Sequence, residues 1–377
     1  MLLSKKRTLS VMAFAAATTM LAGGAQAQRT TTSVDGRWTA VSEIVGQTST
    51  GTVATGGDPK WLAPKPQYSG AVGLLMSYGT SGFVCSGSLI NRNTIVTAAH
   101  CVSDGTADRP DSVTAFFYGG QDDPALYAAG SPATRINIAE INVHQLYTGE
   151  VVDQNDIAIL RLETFAPSFA PHYALTTLND LTSVDHTIAG YGARSIEGGN
   201  QGTLTGFSAG TGRLRYADNR FDYRFGDSDF GGAYDGVFGA ADVDNVWISD
   251  FDNGTSAKDG SCNAVAADGF TGGVFTSSKY CDLGRGAREG IGAGGDSGAG
   301  YFVDGKIAAV HSFALWYNDD ESANRFGQLK GAVSIDFHRD FINANIPEPA
   351  TWAMMIAGFG LVGGAVRRSR RTSVSFA

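Results

Sequence analysis

Ser297 stands in Gly295-Asp296-Ser297-Gly298, inside a Gly-rich run from Gly290 to Gly300. A Ser between small residues on a tight turn exposes its hydroxyl and leaves a backbone N–H free to face a ligand. By itself such a stretch also makes a good surface turn. Acyl transfer by Ser needs a neutral imidazole to take its proton and a buried carboxylate to set the tautomer of that imidazole. Of the six His, His144, His172, His186, His311 and His338 have no special context and read as packing or surface residues. His100 differs, because it ends the apolar strand Thr94 to Ala99 and adjoins Cys101. Asp156 opens the apolar run Ile157 to Leu160. A carboxylate there is expected to be partly buried and to need a partner; an imidazole N–H is one, and a turn cap is the rival.

These three residues must be carried by strands. The chain has 377 residues, 43% hydrophobic and 17% charged, with 50 Gly, a balance that points to an all-β protein with many turns. Alternating segments predict strands over 71–78, 83–90, 94–99, 113–118, 135–143 and 157–162, and the spacing suggests a sandwich or barrel. Pro167 and Pro171 mark a connector, after which 188–191, 214–216 and 245–249 resume strand character on long loops. Residues 300–303 and 306–313 read as a hairpin turning at Asp304-Gly305, and 336–346 as a short C-terminal helix. Four Cys allow three pairings; the sequence-local one, Cys85–Cys101 and Cys262–Cys281, is expected.

The two ends differ from the middle. Lys5, Lys6 and Arg7 precede an apolar run, Leu9 to Leu21, and a small-residue cleavage site, Ala25-Gln26-Ala27. This predicts a signal peptide over 1–27, with signal peptidase as a partner and an oxidising destination for the Cys. Residues 28–65 read as a polar lead or pro-segment. At the far end Pro347-Glu348-Pro349 breaks the chain before an apolar segment, 350–366, and Arg367, Arg368, Arg370 and Arg371. Seventeen helical residues reach about 25 Å, workable as a membrane span. The whole chain carries −9; three positive charges lie in 1–27 and a net +3 in 348–377, which leaves −15 for 28–347. So acidic a domain, with no basic patch, is not expected to bind nucleic acid.

Thr97-Ala98-Ala99-His100-Cys101, Asn155-Asp156-Ile157-Ala158-Ile159-Leu160 and Gly295-Asp296-Ser297-Gly298 resemble, in order, the three signatures of trypsin-like serine proteases. Cys85 to Ile90, Val143 to Tyr147 and Gly190-Tyr191-Gly192 resemble further family segments, so the resemblance covers about 66–346. It implies two antiparallel Greek-key β-barrels with the active site between them. It also implies a serine endopeptidase acting on protein or peptide substrates: Ser297 as nucleophile, His100 as base and acid, Asp156 as its orienter, and the N–H groups of Gly295 and Ser297 as oxyanion hole. Asp296 would hold the loop by pairing with a cation. In the family that cation is often a new N-terminus released before an Ile-Val-Gly-Gly-like sequence. The match here is Ile44-Val45-Gly46-Gln47, farther from His100 than is usual, and cleavage there is the less favoured reading.

The same resemblance puts Ile291 at the base of the main substrate pocket and Ser312, Phe313 and Ala314 on its wall. With no carboxylate at 291, a small or medium apolar P1 side chain is expected. Departures are the missing pocket disulfide and Gly298-Ala299-Gly300 after the Ser. The stretch 198–285 is longer than in compact members and carries Asp227, Asp229, Asp235, Asp242, Asp244, Asp250, Asp252 and Asp259. Oxygen-rich loops can bind Ca²⁺, but none has the spacing of a known calcium loop, so no metal or other cofactor is expected. The tail resembles the PEP-CTERM sorting signal, which implies an exosortase-type partner and a place at the periplasm, outer surface or matrix of a Gram-negative bacterium. A permanent C-terminal anchor is the alternative for the tail, and a catalytically silent matrix-binding protein on the same fold is the alternative for the domain.

Overall fold

A computed structural model of the chain describes the backbone of 30–32 and 38–41, then residues 59–106, 108–194, 210–267, 278–317 and 326–346, with helical residues at 358–362, 364 and 367. The expected signal peptide, Ile44-Val45-Gly46 and most of the sorting tail lie outside the described residues.

Two short strands come first, β1 (Thr30–Thr32) and β2 (Trp38–Val41). The first large unit is a closed antiparallel barrel. Its strands are β3 (Ala71–Tyr78), β4 (Ser81–Asn91), β5 (Thr94–Thr97), β6 (Ser112–Phe117), β7 (Thr134–Val143) and β8 (Ala158–Leu162). They run in the order β3-β4-β5-β8-β7-β6, and β3 pairs back onto β6 to leave no edge. Leu74, Met76, Leu89, Ile95, Val96, Phe117 and Leu160 are buried in its core. Side chains two apart share a face, so Leu74 and Met76 lie together, while the adjacent Ile95 and Val96 are buried on opposite faces of β5.

The second unit is a half-barrel sheet built from β9 (Val184–Gly190), β10 (Arg215–Phe221), β11 (Tyr223–Arg224), β12 (Val246–Asp250), β13 (Gly300–Val303), β14 (Lys306–Tyr317) and β15 (Leu329–Ser334). Their order is β10-β9-β13-β14-β15-β12-β11. The β13–β14 turn has Asp304 at φ 49° and Gly305 at φ 73°, the left-handed pair that a two-residue hairpin needs. A helix α1 (Gly260–Ala267) lies on β12, and α2 (Arg339–Ala344), shorter than the 336–346 expected, packs back on the first barrel through Ile342 and a Phe341–His144 ring contact.

Three features depart from the sequence reading. The lead segment contains strands: β2 pairs with the end of β14, Val41 opposite Ala314 and Trp38 opposite Tyr317. The strand expected to reach Ala99 stops at Thr97, and His100 rides on a 3-10 turn, Ala99–Cys101. β15 was not expected, because Lys330 and Gly331 interrupt its apolar pattern, yet all six residues are buried. Gly331 is required there, since a Cβ would lie 2.0 Å from a Phe313 ring carbon. Among the described residues no helix is long and apolar enough to cross a membrane, so the transmembrane reading of 350–366 gains no support.

Candidate active site

His100 is held from both sides. Ala99 and Cys101 of its turn are buried, and the Cys85–Cys101 disulfide ties that turn to β4. Its side chain keeps 15% of its surface in solvent, so the ring can meet a ligand. Asp156 sits just before β8 and is 1% exposed. The turn that delivers it is organised by Asp153, whose carboxylate accepts from the N–H of Asn155 at 2.7 Å and of Thr148 at 2.8 Å.

The two meet as the sequence suggests. His100 Nδ1 lies 2.7 Å from Asp156 Oδ2, and the His100 backbone N–H donates to Asp156 Oδ1 at 2.7 Å. A third donor is the hydroxyl of Ser312, 2.5 Å from Oδ2. Burial, the largest influence, would raise the Asp156 carboxyl. The His100 ring, the Ser312 hydroxyl and the His100 N–H outweigh it and hold Asp156 below the usual carboxylate range. An ionised Asp156 accepts a hydrogen bond from Nδ1–H, which leaves the lone pair of the neutral ring on Nε2.

Ser297 comes from the second unit and is pinned to the first. The Ser86 N–H donates to the Ser297 carbonyl at 2.8 Å, and the Ser86 hydroxyl donates to the Gly295 carbonyl at 2.9 Å while accepting from Tyr191 N at 2.9 Å. Gly298 N donates to His311 O at 2.9 Å. The units touch so closely here that a Cβ on Gly298 (φ 84°) would lie 2.0 Å from Thr97 Oγ1. Gly295 (φ 95°) turns the chain before the Ser. His100, Ser297, Gly295, Phe83, Val84 and Cys85 line one cavity of about 410 Å³ between the units.

Asp296, the residue between, is buried against the Gly190-Tyr191-Gly192 segment. Gly192 N donates to its Oδ1 at 2.7 Å, and a Cβ on Gly190 or Gly192 would collide with the carboxylate. Burial pushes Asp296 up to about 8, against the pull of the Gly192 N–H and of the Lys330 ammonium.

The expected pocket residues are all buried. Ile291 is buried with Phe251 and Phe326, and Phe313 lies in an aromatic cluster with Phe225 and Tyr234. None of Ile291, Ser312, Phe313 and Ala314 lines the 410 Å³ cavity. The Ser312 hydroxyl faces Asp156. Sequence reasoning also missed Ser86, because a lone Ser in a strand carries no signal of a contact 209 residues away.

The second disulfide, Cys262–Cys281, forms as expected. Of the eight Asp in the long loops, Asp227 and Asp229 pair with Lys279 at 3.2 and 2.9 Å. Asp250, Asp252 and Asp259 are buried, with carboxylate oxygens within 4.8 Å of one another. Burial, their first influence, raises Asp250 to about 7, Asp252 to about 10 and Asp259 to about 6, and raises neighbouring Glu289 to about 9.

Residues 63–228 match the trypsin family model, and residues 345–371 match the PEP-CTERM protein-sorting motif. The first match takes in His100 and Asp156 and ends before Ser297. A curated relative, trypsin zeta of Drosophila melanogaster, is 35% identical over 83 residues, which cover 22% of this chain and 26% of that protein. The chain thus matches about a quarter of that relative's length. A PEP-CTERM motif marks export to the cell envelope or surface in Gram-negative bacteria. With its all-β chymotrypsin-like fold, this chain carries a trypsin-family match over 63–228, followed by a PEP-CTERM sorting motif.

Proposed function

We propose that the chain is a secreted serine endopeptidase in which Ser297 is the nucleophile, His100 the general base and Asp156 its orienter. The observation that carries this reading is the double contact of Asp156 on His100, at 2.7 Å to Nδ1 and 2.7 Å to the backbone N–H, beside a cavity that His100 shares with Ser297. Nε2 takes the Ser297 proton as Oγ attacks the scissile carbonyl. The backbone N–H groups of Gly295 and Ser297 receive the oxyanion, and the imidazolium returns its proton to the leaving amine. Water then repeats the sequence on the acyl-enzyme. Asp156, anchored by three donors, stabilises the imidazolium without moving.

The substrate is a protein or peptide, and the P1 preference is for small or medium apolar side chains. Support for the latter is the apolar setting of Ile291 against Phe251 and Phe326. An exosortase-type enzyme processes the tail near Pro347-Glu348-Pro349, which leaves the protease at the outer surface or matrix. Labelling with a fluorophosphonate tests the reading: the wild type is labelled and Ser297→Ala is not. A wild type that is folded yet neither labelled nor able to cleave casein overturns it in favour of a silent binding protein. A peptide-library profile dominated by Lys or Arg at P1 overturns the specificity.

A further inference from the structure

Lys330 is the most buried lysine in the second unit, 1% exposed, in the middle of β15. It pairs with Ser249 on one side and Ala314 on the other. Residues two apart on a strand share a face, so Lys330 points where Ala332 points. Ala332 packs in a cluster with Ala293 and Ala299, which bracket Asp296 three residues before and three after. A buried ammonium therefore faces the element that bears a buried carboxylate, 6% exposed. Opposite charges in so dry a place attract strongly, and loss of either one strands the other.

Two further observations fit. The Lys330 ammonium is a charge that draws the Asp296 carboxyl down against burial. The chain ahead of Ile44 is also part of the sheet, since Trp38–Val41 pairs with the 314–317 end of β14, the strand next to β15. A fold that uses residues 38–41 as a strand is not built around a new N-terminus at 44. Besides Lys330, the titratable groups that sense Asp296 are Tyr127, pushed up by burial, Tyr191 and this carboxylate, and Tyr301, pushed up by burial and this carboxylate.

We propose that Lys330 is a positioning residue that keeps Asp296 ionised, and through it the Ser297 loop in shape, without release of a new N-terminus. This rests on the proteolytic reading above. An ionised Asp296 holds the Gly192 N–H and the turn from Ala293 to Gly298 that presents the Gly295 and Ser297 N–H groups. A neutral one donates where it should accept.

The test uses the full chain, with fluorophosphonate labelling rate against pH and the thermal midpoint as readouts. Asp296 must lose its proton for the loop to set, so labelling rises with pH through its ionisation. In Lys330→Met the carboxyl is harder to ionise. The acid limb moves up by at least one pH unit, and labelling at pH 8 falls about fivefold or more. Lys330→Arg moves the limb back toward the wild type. The double variant Lys330→Met/Asp296→Asn melts above Lys330→Met, because it removes the stranded carboxylate. This comparison decides the matter even where the single variant folds poorly. Intact mass of the labelled wild type retains residues 38–41. The proposal is overturned if the Lys330→Met limb coincides with the wild type, including a case in which only P1 selectivity changes. It is also overturned if the double variant melts no higher than the single, or if all labelled protein begins at Ile44. A wild type unlabelled at every pH sinks the protease reading instead, a separate outcome.

Discussion

The two halves of the molecule solve burial differently. The first barrel is closed and its inside is mainly aliphatic, with Leu74, Ile95, Val96 and Leu160 among its buried residues. Its principal buried acids, Asp153 and Asp156, are satisfied by donors from adjacent turns or from His100. The second half buries an aromatic cluster, including Tyr223, Phe225, Phe230, Tyr234 and Tyr280. It also buries Asp222, Asp250, Asp252, Asp259 and Glu289 close together. Electrostatic strain is therefore concentrated in the half that supplies Ser297, while the base and its orienter sit in the calmer half. The difference teaches that the site is a seam: a rigid acid–base pair on one side and a charge-laden loop on the other, stitched by Ser86 and Gly298.

The largest effect is expected on the rigid side. Asp156→Asn keeps the shape but presents the wrong hydrogen-bond partner to Nδ1, and turnover of a peptide ester should fall on the order of 10⁴-fold. Equal activity in the variant would mean that the His100–Asp156 contact is structural only. At the stitch, Gly298→Ala adds a Cβ 2.0 Å from Thr97 Oγ1 at a φ of 84°. It should cost about 3 kcal/mol, read from denaturant unfolding. A neutral substitution there would break the picture of a tight seam.

Two sets of groups should also respond oppositely to pH. Asp156 has a lowered folded-state pKa, and burial, with other influences, lowers His338 to about 4. The folded chain binds fewer protons at these groups than the unfolded chain, so their stabilisation is present at neutral pH and lost as pH falls. The second-half carboxyls are raised, Asp259 to about 6, Asp250 to about 7 and Glu289 to about 9. There the folded chain holds extra protons. The stabilisation is full below about pH 4 and disappears as pH rises through 6 to 9. Calorimetry with a chelator present should show stability falling by about 4 kcal/mol or more between pH 5 and 8. A flat profile there would remove the contrast. Added Ca²⁺ that leaves the pH 8 midpoint unmoved would dispose of a metal at Asp250, Asp252 and Asp259.

The smallest effect sharpens the link across the seam. Ser312→Ala removes the one donor that the second half gives to Asp156. Activity should fall only about tenfold, the scale of one charge-assisted hydrogen bond. A far larger loss, with an altered P1 profile, would return Ser312 to the substrate pocket.

The features legible in the chain, most of them in the first barrel, are those whose contacts are local. Ala71–Tyr78 is a strand to the residue, and in the second half Asp304-Gly305 turns as its residue types require. Both disulfides close short loops, of 16 and 19 residues in separation. The second half was harder to read. β15 hides its strand character behind Lys330 and Gly331, and α1 has no strong apolar face to announce it.

What the chain alone determined is the kind of chemistry. Ser297, His100 and Asp156 are marked by their own neighbours, a Gly-rich turn, a strand end beside a Cys, and an apolar run. What only the tertiary structure decided is how these parts are held. Ser86 reaches Gly295 across 209 residues, Ser312 reaches Asp156 across 156, and the face of β15 sets Lys330 toward Asp296. A local pattern records which side chains a short segment needs for its own conformation. It holds no trace of a partner supplied by a strand from the other half, because that contact exists only once both units have closed.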